Sequence, residues 1–250
     1  MKIKEELGEY TTKNELGVRH QGAAPHRETA PVFQPTLLSP FGPCIYYNTI
    51  RPECFNELEK ACEIARKEKK DVSDTLAGVI KEQYDVEPFI EKPDDVYHHL
   101  NDHCHEYLSL QSNIRPDLIS VTPHDIFQHE GMWVNYQKPL EYQPEHAHNG
   151  FVSYVIYLEN PITEEEAADN IYDKRVRSDT RPSLAGKVNF HYGESLKLSE
   201  NNFYHFPQQG DIIMFPSWLG HSVHPFFKEG VERISVAGNI SLINNTNEIV

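Results

Sequence analysis

The sequence predicts a mostly β fold with flanking helices, in which a helical N-terminal half packs on a C-terminal antiparallel β-sandwich. Three observations carry this. Two segments within residues 50–115 place apolar residues at helical spacing. From residue 119 onward, short β-rich runs alternate with Gly, Pro, Asn and Asp. A length of 250 residues suits one elaborated domain with a substantial core.

In chain order, residues 1–34 are polar, include "GAAPHRETAP" and lack sustained periodicity, so they read as a flexible arm ahead of one domain at 35–250. "TLLSPFGPCIYYNTI" (36–50) mixes apolar and aromatic residues with Pro and Gly, the pattern of a strand entered through a turn. "RPECFNELEKACEIARKEKK" then sets Phe55, Leu58, Cys62 and Ala65 at helical spacing, with Pro52 suited to a first turn. "DVYHHLNDHCHEYLSL" (95–110) repeats the pattern with Tyr97, Leu100, Cys104 and Tyr107 or Leu108.

The β-rich half spans about 119–243: "ISVTPHDIFQHEGMWVNYQ", "GFVSYVIYLEN", "GKVNFHYGESLKLS", "GDIIMFPSW" and "RISVAGNISLI". Such a series predicts an antiparallel all-β unit. The polar stretch at 161–187 reads as a surface loop or lid.

Composition excludes several classes of function. Lys+Arg number 23 against 38 Asp+Glu, a formal charge of -15. A field of that sign repels phosphate backbones, so no general nucleic-acid binding is expected. The basic run "RKEKK" (66–70) ends a helix, where it complements the dipole. No apolar run approaches the roughly 20 residues of a spanning helix, and the polar start lacks a secretory pattern. No membrane association and a cytoplasmic location are therefore expected. Cys44, Cys54, Cys62 and Cys104 show no CxxC spacing and read as free thiols, with Cys54 and Cys62 on the apolar side of a helix.

The chemistry lies in "EHAHNG" (145–150), "GDIIMFPSWLGHSVHPF" and "ERISVAGNIS". His146 and His148 lead into a strand, and His221 follows another. In the last run, alternation puts Arg233, Ser235, Ala237 and Asn239 on one face and Ile234, Val236 and Ile240 on the other. An arginine among small polar residues on an apolar strand needs an anionic partner, and its fork suits a carboxylate.

These pieces, in this order, resemble the Fe(II)- and 2-oxoglutarate-dependent oxygenases with a double-stranded β-helix (jelly-roll) core. More narrowly, "WVNY…HAHN…YVIYL…FPSWLGHSV…RIS" looks like the prolyl-hydroxylase-like group of marine bacteria and their phages, over about residues 120–241. The resemblance implies Fe(II) held by His146 and His221, and 2-oxoglutarate whose far carboxylate is bound by Arg233 with help from Ser235 and Tyr157. Tyr136 resembles a tyrosine lining the pocket near the iron; Trp133, Asn135 and Tyr142 are further pocket candidates. It implies hydroxylation of an unactivated C–H bond in a small molecule or peptide, prolyl or other amino-acid groups included.

The chain departs from that pattern at one point. The usual carboxylate ligand stands two residues after the first histidine, and here that residue is His148. An all-histidine set of His146, His148 and His221 is the preferred reading. A second takes His148 as first ligand with Gly150 at the carboxylate position, as in the halogenase branch. A third draws the carboxylate from Glu145 or a distant acid. His224 competes with His221, and Arg233 can alternatively be a structural ion-pair partner. Two different functions stay open beside the oxygenase: a cupin-like three-histidine dioxygenase that uses no 2-oxoglutarate, and a non-catalytic jelly-roll binding protein. His99 and His103, at i and i+4, read as part of a hydrophilic helix face rather than a zinc site.

Overall fold

The computed structural model describes residues 36–38, 42–72, 78–114, 126–169, 183–194, 196–197 and 200–243. The expected arm at 1–34 and the middle of the 161–187 lid segment lie outside the described residues.

Strand β1 (Thr36–Leu38) and strand β2 (Ile45–Thr49) lead into helix α1 (Pro52–Glu68). Proline in the first turn fixes φ where no N–H partner is needed. At the other end Lys69 takes a left-handed conformation, φ 54°, and its N–H closes on the Ala65 carbonyl at 2.8 Å. Strand β3 (Gln83–Asp85) and a 3-10 turn at Glu87–Phe89 precede helix α2 (Pro93–Ile114). Then come β4 (Ile126–Gln137), β5 (Gln143–His146), β6 (Val152–Glu159), the short helix α3 (Glu164–Asp169), β7 (Val188–His191), β8 (Asn202–His205), β9 (Asp211–Pro216), β10 (Gly220–Val223) and β11 (Arg233–Ile243).

The strands form two sheets, of order β1-β2-β9-β6-β11-β4-β3 and β5-β10-β7-β8. Every pairing between strands is antiparallel. Two antiparallel sheets with helices on one outer face fit the expected jelly roll. The helices of the N-terminal half are α1 and α2; β1, β2 and β3 lie beside them and join the larger sheet.

Strand alternation divides the larger sheet into two faces. Met132, Val134 and Tyr136 of β4, Tyr154 and Ile156 of β6, and Val236 of β11 pack with Leu58, Cys62, Leu100 and Cys104 of the helices. On the opposite face Tyr157, Ile213 and Phe215 meet Val188 and Phe190 of the smaller sheet. The site lies on that inter-sheet face. All four cysteines are free, as their spacing suggested; Cys54 and Cys62 are buried as expected, and so are Cys44 and Cys104.

The histidines of α2 correct the sequence reading. His99 and His103 are 4% and 6% exposed, so their face of the helix is not a hydrophilic one. The helix settles on polar residues of β2. Tyr46 Oη lies 2.7 Å from His103 Nδ1, the His103 and His99 Nε2 atoms lie 3.2 Å apart, and the Arg51 N–H donates to His99 Nε2 at 3.1 Å. These contacts make an inward polar pair tolerable. No helix among the described residues is long and apolar enough to cross a membrane.

Candidate metal and carboxylate site

Three histidine side chains converge in the wall of the inter-sheet cavity. His146 ends β5 and His221 lies in β10, where the two residues are direct register partners. His148, two residues beyond β5, is fixed by its backbone N–H, which donates to the Ser217 carbonyl at 2.8 Å. One nitrogen from each of His146, His148 and His221 lies within 4.8 Å of the others, the only such grouping of three or more His, Cys, Asp or Glu among the described residues.

The protonation states suit a cation. His146 Nδ1 lies 2.7 Å from the Pro144 carbonyl and His221 Nδ1 lies 3.0 Å from the Leu219 carbonyl. A carbonyl only accepts, so Nδ1 carries the proton in each and Nε2 keeps its lone pair for a ligand. Burial lowers the pKa of all three rings, to about 4 for His148 and about 3 for His221, and for these two the neighbouring histidines add to it. They are neutral imidazoles near pH 7, the form that coordinates.

The alternative placements of the missing carboxylate find no support in the geometry. Gly150 faces Asn239, Ile240 and Glu130. The Glu145 carboxylate sits against Gly220, in a groove lined also by His146, His191 and Trp218, and is not part of the three-histidine grouping. His224 pairs its ring with Tyr204, away from the cluster.

The same cavity, with about 50 Å³ of accessible space, has Trp133, Asn135, Tyr157, Ser235 and Arg233 in its walls. Register explains the grouping. Ser235 stands opposite Asn135 on β4 and opposite Tyr157 on β6, while Arg233 stands opposite Gln137. Arg233 is 2% exposed. Its guanidinium donates from Nε to Gln137 Oε1 at 3.0 Å, from Nη2 to the same oxygen, and from Nη1 to the Gly186 carbonyl at 2.5 Å. All these acceptors are neutral, so the structural ion pair considered from sequence is not seen among the described residues. The Tyr157 ring lies 5.9 Å from the guanidinium. Burial pushes the Tyr157 hydroxyl up to about 12, so it stays a donor.

Tyr136 is a correction. It belongs to the helix-facing side of β4, where its hydroxyl donates to the Cys62 carbonyl at 2.7 Å and Arg66 lies 4.1 Å over its ring. It does not line the cavity. The residues on either side of it do, because side chains alternate along the strand. Trp133 and Asn135 line the wall as expected, whereas Tyr142 is exposed and outside it. Gln137 and Gly186 were missed. The alternation that marked Trp133 and Asn135 continues to Gln137, but nothing local marks a carbonyl 47 residues from Arg233 as its partner.

The donor set fits the groups that the resemblance implies. Three neutral imidazoles suit a first-row divalent cation, and a buried cation with only neutral acceptors suits a carboxylate.

Residues 131–239, a little under half of the chain, match the family model described as putative 2OG-Fe(II) oxygenase. Among solved structures, a Pseudomonas putida prolyl-4-hydroxylase is similar at 15% identity over 78% of this chain and 91% of that one, with a TM-score of 0.46. A Trichoplax adhaerens prolyl hydroxylase, solved in complex with a hypoxia inducible factor oxygen degradation domain peptide fragment, gives 13% identity, 79% and 82% coverage, and 0.48. The viral collagen prolyl hydroxylase of Paramecium Bursaria Chlorella virus-1, solved as a 2OG complex, gives 16%, 77% and 94%, and 0.41. No curated protein matches the chain. The match over residues 131–239 holds all three histidines and Arg233, so the chain is similar to the 2OG-Fe(II) oxygenase family across its candidate site.

Proposed function

We propose that this chain hydroxylates an unactivated C–H bond of an amino-acid or peptide substrate, prolyl groups included, with Fe(II) held by His146, His148 and His221. The observation that carries the cosubstrate half of this reading is Arg233, a buried guanidinium whose acceptors among the described residues are all neutral. When bound, Fe(II) and 2-oxoglutarate supply the activation of O2, with 2-oxoglutarate converted to succinate and CO2. The rest is the work of the protein.

Arg233 binds the far carboxylate of 2-oxoglutarate. Ser235 and the protonated Tyr157 hydroxyl stand on the neighbouring register positions and add donors to the same end. The histidines line the same cavity as Arg233, so a chain-like dicarboxylate anchored at Arg233 points its keto acid end toward them. Val155, Phe190 and Phe215 line the wall between. They keep bulk water from the reacting end and strengthen each polar contact inside. Neutral His148 in place of a carboxylate leaves the metal one charge more positive, which favours the dianionic cosubstrate.

A cupin-like dioxygenase that uses no 2-oxoglutarate shares the three histidines but gives a buried, uncompensated Arg233 no role. The test is oxygen consumption by the iron-loaded protein with proline-containing peptides. Succinate formed in step with hydroxylated peptide supports the proposal. Oxygen consumption without any need for 2-oxoglutarate overturns it in favour of the cupin-like reading.

A further inference from the structure

Gln137 holds the cationic anchor of the cavity, and its neutrality has a consequence. A guanidinium has five N–H donors. Among the described residues three of them are engaged at Arg233: Nε and one N–H of Nη2 on Gln137 Oε1, and one N–H of Nη1 on the Gly186 carbonyl. Two remain, one on each terminal nitrogen, the number that a carboxylate takes from an arginine fork.

The cradle itself is rigid. Gln137 is 2% exposed and its own amide donates to the Glu141 carbonyl at 2.6 Å, which leaves Oε1 pointed at the guanidinium. Gly186 holds φ +70°, and a Cβ there would meet Ile162 Cδ1 at 2.7 Å, so its carbonyl is fixed by a turn that other residues strain. Arg233 is thus oriented by two partners that offer dipoles and no charge. A carboxylate at position 137, on a side chain of the same length, would accept the same hydrogen bonds from Arg233 and neutralise the cation, though it could not donate to the Glu141 carbonyl.

We propose that Gln137 is a positioning residue that sets the charge preference of the cosubstrate site: it orients Arg233 while leaving its positive charge available to an incoming carboxylate. This rests on the reading of Arg233 as the 2-oxoglutarate anchor. Discrimination between 2-oxoglutarate and 2-oxopentanoate, which lacks the far carboxylate, follows from glutamine at 137 and not from Arg233 alone.

The experiment is anaerobic calorimetric titration of the iron-loaded protein with each of these two acids, in wild type, Gln137→Glu and Gln137→Met, beside thermal melts without either acid. For Gln137→Glu the expected result is a Kd for 2-oxoglutarate raised at least tenfold and a Kd for 2-oxopentanoate changed less than threefold. Its melting temperature should exceed that of Gln137→Met, because the carboxylate keeps the acceptor for Arg233 while both variants lose the donor to the Glu141 carbonyl. Gln137→Met loses the acceptor, so its melting temperature should fall. Unchanged preference for 2-oxoglutarate in Gln137→Glu overturns the inference. So does a loss of both ligands together with a lowered melting temperature, which marks Gln137 as structural only. Failure of the wild type to bind 2-oxoglutarate would instead remove the cosubstrate reading itself, and this inference with it.

Discussion

His146 and His221 face each other across the β5–β10 pair as register partners, with ring centroids 4.3 Å apart. Each donates its Nδ1–H to the carbonyl two residues before it, Pro144 and Leu219 respectively. The repeat of one local device on two antiparallel strands presents both Nε2 atoms from a fixed tautomer. Such outer hydrogen bonds orient metal-binding imidazoles and raise their basicity toward the metal.

Burial of these rings makes stability depend on pH. In the folded protein His148 titrates at about 4 and His221 at about 3, and burial of His99, His103 and His129 acts in the same direction. An unfolded histidine titrates near 6.5. Below that value the unfolded chain binds more protons than the folded one, so their contribution is complete above about pH 6.5 and declines as pH falls toward the folded values. The metal-free protein should therefore lose melting temperature steadily between about pH 6.5 and 5, above the range where most carboxylates titrate. Thermal melts across that window check this; a flat profile contradicts it.

His148 separates a two-histidine site from a three-histidine one. His148→Ala should lower Fe(II) affinity by more than about 100-fold, since losing a ligand exceeds the 10–100-fold typical of an outer-shell partner. His148→Asp restores the carboxylate usual at that position and should retain iron. Competitive titration against a metal-binding dye reads both. Equal iron affinity in wild type and His148→Ala would show that another group completes the site.

Tyr136 should matter for stability and not for ligand binding. Tyr136→Phe removes the donor to the Cys62 carbonyl and leaves that buried oxygen without it. The expected cost is about 1–3 kcal/mol in urea denaturation, with the Kd for 2-oxoglutarate unchanged. A weakened Kd with unchanged stability would return Tyr136 to the cavity wall.

Much of the site was readable because its signals are local. Alternation along "RISVAGNIS" separated Arg233 and Ser235 from Val236 and Ile240, and the structure keeps that division. Both helices and strands β4, β6, β7, β9 and β11 stand where periodicity placed them. Strands β5, β8 and β10 are four residues each and carry no apolar alternation, so only their partners define them. The same limit explains Tyr136. The resemblance puts it near the iron, but a one-residue step along a strand reverses the face, and β4 turns Asn135 inward and Tyr136 toward the helices. His99 and His103 misled for a related reason: what makes their face buried is Tyr46, on a strand more than 50 residues away.

The central claim is that a metal held by three histidines and a carboxylate anchor at Arg233 form one cosubstrate site. Anaerobic addition of Fe(II) and then 2-oxoglutarate tests it most directly, through the visible charge-transfer absorption of the keto acid chelated to iron. Wild type should develop the band. Arg233→Met should bind iron equally well and need about 10–100 times more 2-oxoglutarate to reach it, the loss of charge-assisted hydrogen bonds of about 1.5–3 kcal/mol. Iron bound without any band in wild type, or a band that forms equally well in Arg233→Met, would contradict the claim.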